Sequence, residues 1–388
     1  MAIFPIKDFQ VTPTPFYYYD IQLLEQTLEA LREAIGTDAI HVHYAMKANA
    51  NPELLSSIRN AGLGIDCVSG GELRHALQCG FAPESIVFAG VGKTDEEITA
   101  GLMAGIGFFN VESTEELREI SRIAANIGKT ARIALRVNPD IDAHTHEYIT
   151  TGLAENKFGI DMRVLDSVID SALALPGISL TGLHFHIGSQ ITINEPFKLL
   201  SERINDLNES LARRGVNLTS INVGGGLGID YDDPDANPVP DFSSYFETFR
   251  RNLRLLPGQE LHCELGRAIV AQCGSLISRV IYVKKGIGKQ FVILDAGMSD
   301  LIRPALYQAH HRIENITAAD DAPAETYDVV GPICESSDTF GTDELLPLTH
   351  RGDLIALRSA GAYGEVMSSN YNLRPTPPTL SSVSIKNH

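Results

Sequence analysis

The sequence is short of cysteine, short of positive charge and free of long apolar runs. Each shortage removes a class of protein. Five cysteines stand in 388 residues, odd in number, widely spaced and without a CxxC pair. That pattern excludes a disulfide framework and fits reduced thiols in a cytoplasm. Lysine and arginine number 31 against 49 aspartates and glutamates, a formal net charge of −18. A phosphate-backbone partner needs a basic face, so nucleic acid is excluded, and any anion site has to be built locally. No apolar segment has the length of a bilayer span, which excludes a membrane protein. Met1–Lys7 has no long apolar run behind a basic start, so no signal peptide is read and the expected location is the cytoplasm. No low-complexity linker interrupts the chain.

Hydrophobic residues make up 44% and glycines number 33, enough for a large core with many tight turns. The length suits two domains. From residue 41 onward, strand-like and helix-like runs alternate. Strands are expected at His41–Ala48, Gly64–Ser69, Ile86–Gly90, Phe108–Ser113, Arg132–Asn138, Leu180–Gly188, Ser220–Gly226 and Leu261–Leu265. Helices are expected between them, with Thr94-Asp95-Glu96-Glu97 and Ser113-Thr114-Glu115-Glu116 as capped, acidic N-termini. Eight such units are what a (β/α)8 TIM-like barrel requires, rather than an open doubly wound sheet. Past Gln272 the runs Cys273–Lys284, Gln290–Leu294, Tyr327–Val330 and Asp353–Leu357 read as strands with little helix. The expectation is a barrel over 22–272 and a mostly β domain over 1–21 plus 273–388, which takes in the N-terminal strand. Pro375–Pro378 and the polar tail are expected to be poorly ordered.

Chemistry-bearing residues gather at the expected C-terminal ends of the strands, where barrel enzymes work. Lys47, flanked by Met46 and Ala48, closes the first; a desolvated lysine there would be a neutral nucleophile toward a carbonyl. Asp66 closes the second, and His184-Phe185-His186 with Ser189 closes the sixth. Gly224-Gly225-Gly226 closes the seventh, and Glu264-Leu265-Gly266-Arg267 the eighth. The glycine triplet would let backbone N–H groups approach a phosphate, beside Ser189 and Arg267. The HxH pairs 41/43, 144/146 and 184/186 raise a metal reading. No thiolate or carboxylate at ligand spacing accompanies them, so no metal is expected. His186 is read as a flat ring stacked on a planar cofactor, and Glu264 as the partner of a heteroaromatic nitrogen. Lysine, anion cradle, flat histidine and carboxylate together specify pyridoxal phosphate.

With these residues in place, the chain resembles the diaminopimelate decarboxylases, of the alanine-racemase-like, fold-type III pyridoxal phosphate enzymes. The likeness rests on Tyr44–Asn49, Val68–Leu73, Thr151-Gly152 with Asn156–Ile160, His186–Gln190, Gly224–Gly228, Arg303–Tyr307, Cys334-Glu335-Ser336 and Gly361–Tyr363. The resemblance implies decarboxylation of meso-2,6-diaminopimelate to L-lysine, the last step of lysine biosynthesis. It implies Lys47 as the lysine that carries the cofactor and His186 stacked on the ring. It implies Ser189, Gly224–Gly226, Arg267 and Tyr363 around the phosphate, and Glu264 at the ring nitrogen. It implies Arg267, Arg303, Tyr307 and Tyr363 for the substrate, Glu335 for its distal ammonium and Cys334 as proton donor. Cys334 and Glu335 are expected to cross a homodimer interface. Leu265 stands where the family usually has Pro, and Ser337 where it usually has Gly. The rival readings are a decarboxylase of D-lysine, ornithine or arginine, a non-catalytic pyridoxal-phosphate carrier, and a metal-dependent barrel hydrolase.

Overall fold

The computed structural model describes residues 4–141, 157–319 and 321–385. The Thr151-Gly152 and Asn156 motif positions and the His144/His146 pair lie outside the described residues. The chain divides into two units, one of Leu28–Gly228 with Asp241–Gly266, the other running to Thr27 and adding Ile229–Pro240 and everything from Arg267.

The first unit is a closed parallel barrel. Its strands are β2 (Ile40–Ala45), β3 (Gly64–Cys67), β4 (Ile86–Phe88), β5 (Phe108–Val111), β6 (Ala131–Asn138), β8 (Ile178–His184), β9 (Ser220–Asn222) and β10 (Glu260–Leu265). They pair in the order β5-β4-β3-β2-β10-β9-β8-β6, and β5–β6 pairing closes the ring, while short β7 (Ile160–Asp161) hangs on β6. Several strands stop earlier than their apolar runs suggest, because the next residue is already shaping a helix. Ser69 accepts from Glu72 N and caps Gly70–Gln78, and Asn51 caps Pro52–Asn60. Thr94 and Glu97 form a reciprocal capping box, and Ser113 caps Thr114–Asn126. The site residues therefore ride on loops fixed at both ends.

The second unit is built on an eight-stranded sheet. Long β11 (Gly274–Lys285) pairs antiparallel with β1 (Phe16–Tyr19), β12 (Gln290–Leu294) and β16 (Leu354–Leu357). β13 (Ile313–Asn315) joins β16, and β14 (Ala324–Val330) links β12 to β15 (Thr339–Pro347). Phe9, Phe16, Tyr18, Ile277, Leu354 and Ala356 form a core cluster here. The tail departs from expectation. Thr379–Ser381 forms β17, parallel to β1, and Tyr17 N donates to Pro378 O. A strand with an open edge offers unpaired backbone groups, and the tail satisfies them. No helix among the described residues is long and apolar enough to cross a membrane.

Candidate active site

The barrel brings Lys47, Asp66, His186, the glycine triplet and Glu264 to one end, the C-terminal ends of its strands. Lys47 sits in a single 3-10 turn, Met46–Ala48, directly after β2, with Met46 and Ala48 buried. Gly266 packs on that turn; a Cβ there would lie 3.1 Å from both Ala45 Cβ and Ala48 Cβ. The Lys47 ammonium is 3.9 Å from Asp66 Oδ2, and its side chain is 42% exposed. What the fold provides is access and a neighbouring carboxyl. Asp66 itself is buried, and its oxygens have no hydrogen-bond donor. Burial first, then the Glu264 charge, pushes it well above the usual carboxylate range, against the pull of Lys47.

Glu264 is the opposite case. It is buried on β10, yet Oε1 accepts from Asn110 Nδ2 at 2.9 Å and Asn222 Nδ2 at 2.8 Å. Its Oε2 accepts from His184 Nε2 at 2.9 Å. Burial alone would raise this carboxyl; His184, by charge and hydrogen bond, and then the charge of Lys47 outweigh it, so the group is held ionised. A carboxylate has about four acceptor positions, so one remains, on Oε2. Asn110 and Asn222, which donate to Glu264, were not read from the sequence. Asn222 lies two residues before the glycine triplet, which was its only signal.

β8 ends at His184, so the HxH alternation stops there and the two imidazoles do different work. His186 lies beyond the strand, and Gly225 N donates to its Nδ1 at 3.2 Å. Burial, then the charges of Arg136 and Lys47, push His186 well below its ordinary value, leaving a neutral ring. Gly224 N donates to Asn222 Oδ1, so two of the triplet's N–H groups are spent internally. Close approach is what demands glycine: a Cβ on Gly225 would lie 2.0 Å from Glu264 O, and Gly224 and Gly226 have φ of +71° and +112°. Ser189 is half-buried one residue after Gly188, and Gln190 next to it holds a left-handed φ of 59°.

The second unit holds its own cluster. Arg267 Nη1 donates to Tyr231 Oη at 2.6 Å, and its guanidinium lies 5.0 Å from the Tyr363 ring centroid. Arg303 opens the short helix Arg303–Tyr307 and lies 4.9 Å from the centroid of the same Tyr231 ring. Its Nη1 donates to His311 Nε2 at 2.8 Å. The Arg358 carbonyl accepts from His311 Nδ1, which fixes the tautomer that leaves Nε2 an acceptor. Burial and the Arg303 charge push His311 well below its ordinary value. Burial would raise the Tyr231 phenol, but the two guanidiniums outweigh it and its value is lowered. Both arginines are buried. Among the described residues Arg303 forms no ion pair with a carboxylate. Tyr363 holds φ at +57°, a strained conformation for a residue with a side chain. Tyr231 and His311 were not read from the sequence.

Cys334 and Glu335 are exposed on a loop whose shape is set from within. Buried Asp338 accepts from Ile333 N at 2.6 Å and Met298 N at 2.5 Å. A Cβ on Gly331 would meet Asp338 Oδ2 at 2.4 Å. Tyr371 Oη donates to Glu335 Oε1 at 2.5 Å. Ser337 points outward and its hydroxyl reaches Met298 Sδ at 3.6 Å, so this departure from the family pattern does not crowd the loop. Leu265 is the buried last residue of β10 and leaves Glu264 and Arg267 in place.

These groups suit pyridoxal phosphate. An accessible amine, an ionised carboxylate with one acceptor position left, a neutral ring and a glycine-lined turn stand at one barrel end. Asp66 and His184 Nδ1 are buried there without hydrogen-bond partners. The comparisons agree. Residues 21–271 match the family model for the pyridoxal-binding domain of pyridoxal-dependent decarboxylases. The diaminopimelate decarboxylase of Bacteroides thetaiotaomicron is 58% identical over 377 residues, 97% of each chain. The crystal structure of diaminopimelate decarboxylase from Helicobacter pylori complexed with L-lysine is 42% identical, with a TM-score of 0.91 over 97% of this chain and 93% of that one. A lysine/ornithine decarboxylase from Vibrio vulnificus, 22% identical with a TM-score of 0.83 over 97% of this chain and 96% of that one, shares the fold. The chain belongs to the pyridoxal-dependent decarboxylases and, among them, to the diaminopimelate decarboxylases.

Proposed function

We propose that this protein removes CO2 from meso-2,6-diaminopimelate and releases L-lysine, working in the cytoplasm as a homodimer. The observation that carries the substrate reading is Arg303, a buried guanidinium whose described partners are a phenol ring and a neutral imidazole. A buried cation calls for an anion. Diaminopimelate brings a distal carboxylate; D-lysine, ornithine and arginine do not.

Pyridoxal phosphate, when bound, supplies the electron sink for the pair left behind as CO2 departs. Lys47 would hold the cofactor through its amine, with Asp66 and Gly266 beside it. Glu264 would keep a proton at the ring nitrogen through its remaining acceptor position. His186, neutral, would offer its ring to the pyridine. Ser189, Gly224–Gly226, Arg267 and Tyr363 would hold the phosphate. Arg267, Arg303, Tyr307 and Tyr363 bind the distal carboxylate, and Glu335 the distal ammonium. Cys334 donates its thiol proton to the carbon that has lost CO2. Cys334 and Glu335 serve the neighbouring subunit, a role supported by their exposure on a preformed loop.

Borohydride reduction followed by peptide mapping tests the first part; the label is expected on Lys47. Measuring CO2 from diaminopimelate, D-lysine, ornithine and arginine tests the second. Release from the last three at the rate of the first would overturn the substrate reading.

A further inference from the structure

Three imidazoles and a carboxylate collect toward the N-terminal end of the barrel, the end away from Lys47. His41 and His43 lie on β2, Glu260 and His262 on β10, and these parallel neighbours set His262 against His41 in register. They are the first and eighth strands of the barrel, so the group sits on the seam where the ring's chain ends meet. His41 Nε2 is 3.3 Å from Glu260 Oε2. One ligand atom from each of His41, Glu260 and His262 lies within 4.8 Å of the others.

The tautomers follow from one carbonyl. Ser85 O can only accept, so His43 Nδ1, 3.2 Å away, carries a hydrogen. His43 Nε2 is then bare and takes the hydrogen of His262 Nδ1 at 3.0 Å. That leaves His262 Nε2 with a lone pair, buried and without a donor. The His262 residue is only 5% exposed. A neutral imidazole with one nitrogen anchored by a hydrogen bond and the other offering a lone pair is the form in which histidine binds metal.

We propose that His41, Glu260 and His262 bind one divalent cation of the zinc class, remote from the decarboxylation chemistry. Two imidazoles and a carboxylate suit Zn2+, Co2+ or Ni2+ rather than the oxygen-seeking Mg2+ or Ca2+. His41 and Glu260 are exposed, so the ion has an entry path and water completes its coordination. His43 acts behind His262, holding its ring. His41 lies some two hundred residues from Glu260 and His262 in sequence, so no local spacing announced the three together. By bridging β2 and β10 the ion would tie the barrel's seam.

The test uses the holoenzyme, treated with chelator and then titrated with Zn2+ by calorimetry and with Co2+ by visible spectroscopy. One equivalent per chain is expected, with tetrahedral Co2+ bands and a higher melting temperature. His41→Ala and Glu260→Gln, both surface changes, should each weaken Zn2+ binding by more than about tenfold while leaving metal-free turnover unchanged. The absence of saturable binding to the unaltered protein overturns the proposal. So does binding that both variants retain, which would put the ion elsewhere, for instance on the exposed thiol of Cys334.

Discussion

Two clusters, one in each unit, bury charge in opposite ways. In the barrel cluster around Glu264, the buried ionised group is an anion, and three neutral or cationic side chains on other strands surround it. In the sheet-unit cluster around Tyr231, the buried ions are cations, Arg267 and Arg303, held by phenols and an imidazole. An ion in a low-dielectric interior must be compensated by charge or hydrogen bonds. Glu264 is compensated within the fold, with capacity left for one more donor. Among the described residues Arg303 has no carboxylate partner, only a phenol ring and an imidazole. The proposed function uses the first to hold a proton on the cofactor and the second to hold a carboxylate or phosphate.

Changes that break this contrast should rank in severity. Lys47→Ala removes the amine that joins ligand to barrel, and CO2 release should fall by at least on the order of 10⁴-fold, the scale of losing a covalent catalytic group. Stopped-flow or radiolabelled CO2 assays measure it, and the borohydride-reducible absorbance should vanish with it. Glu264→Gln keeps the shape and removes the negative charge. Turnover should fall by roughly 10²–10³-fold, typical of deleting a preorganised electrostatic group, and the loss should appear mainly in kcat. Arg303→Ala should act instead on KM for diaminopimelate. One charge-assisted hydrogen bond is worth about 1.5–3 kcal/mol, so the expected loss in kcat/KM is about 10–100-fold. Equal losses in kcat from the Glu264 and Arg303 variants would erase the distinction between the two regions.

The smallest effect sharpens the contrast through pH. His43 and His262 are held near 4 and 3, below the ordinary 6.5. The unfolded chain therefore binds more protons below 6.5, and barrel stability should fall as pH drops from 6.5 toward 4. Asp300, buried in the sheet unit, is pushed up from 3.8 to about 6, mainly by burial. The folded state there binds the extra proton, so that unit should gain stability as pH drops from 6 toward 4. Each group contributes up to about 1.4 kcal/mol per pH unit within its window. Hydrogen exchange of amides in β2 and β10, compared with those in β11 and β12, should show slopes of opposite sign. Asp300→Asn, which can still accept from Gly297 N, should flatten the second slope.

Legibility in the sequence followed locality. The barrel and its helix starts were readable because periodicity and caps act within a few residues, as Thr94 with Glu97 shows. Strands were read too long where Ser69 and the glycine triplet begin loops. β13, β15 and β17 escaped notice. β15 mixes charge with apolar residues on a sheet edge, and β17 exists because β1 leaves it an edge to pair with. Lys47, Glu264, Arg267 and Arg303 were named from the sequence, and the structure sets Lys47 3.9 Å from Asp66. The partners that tune them were invisible: Asn110 lies 154 residues from Glu264, and Tyr231 is 36 residues from Arg267.

The sequence by itself determined the eight βα repeats and the family, because propensity, patterning and motif are properties of neighbours along a chain. Only the tertiary structure decided which carboxyl is ionised, which tautomer each histidine holds, and that Glu260 meets His41. Those depend on burial and on hydrogen bonds between strands distant in sequence, and no local pattern of residues encodes them.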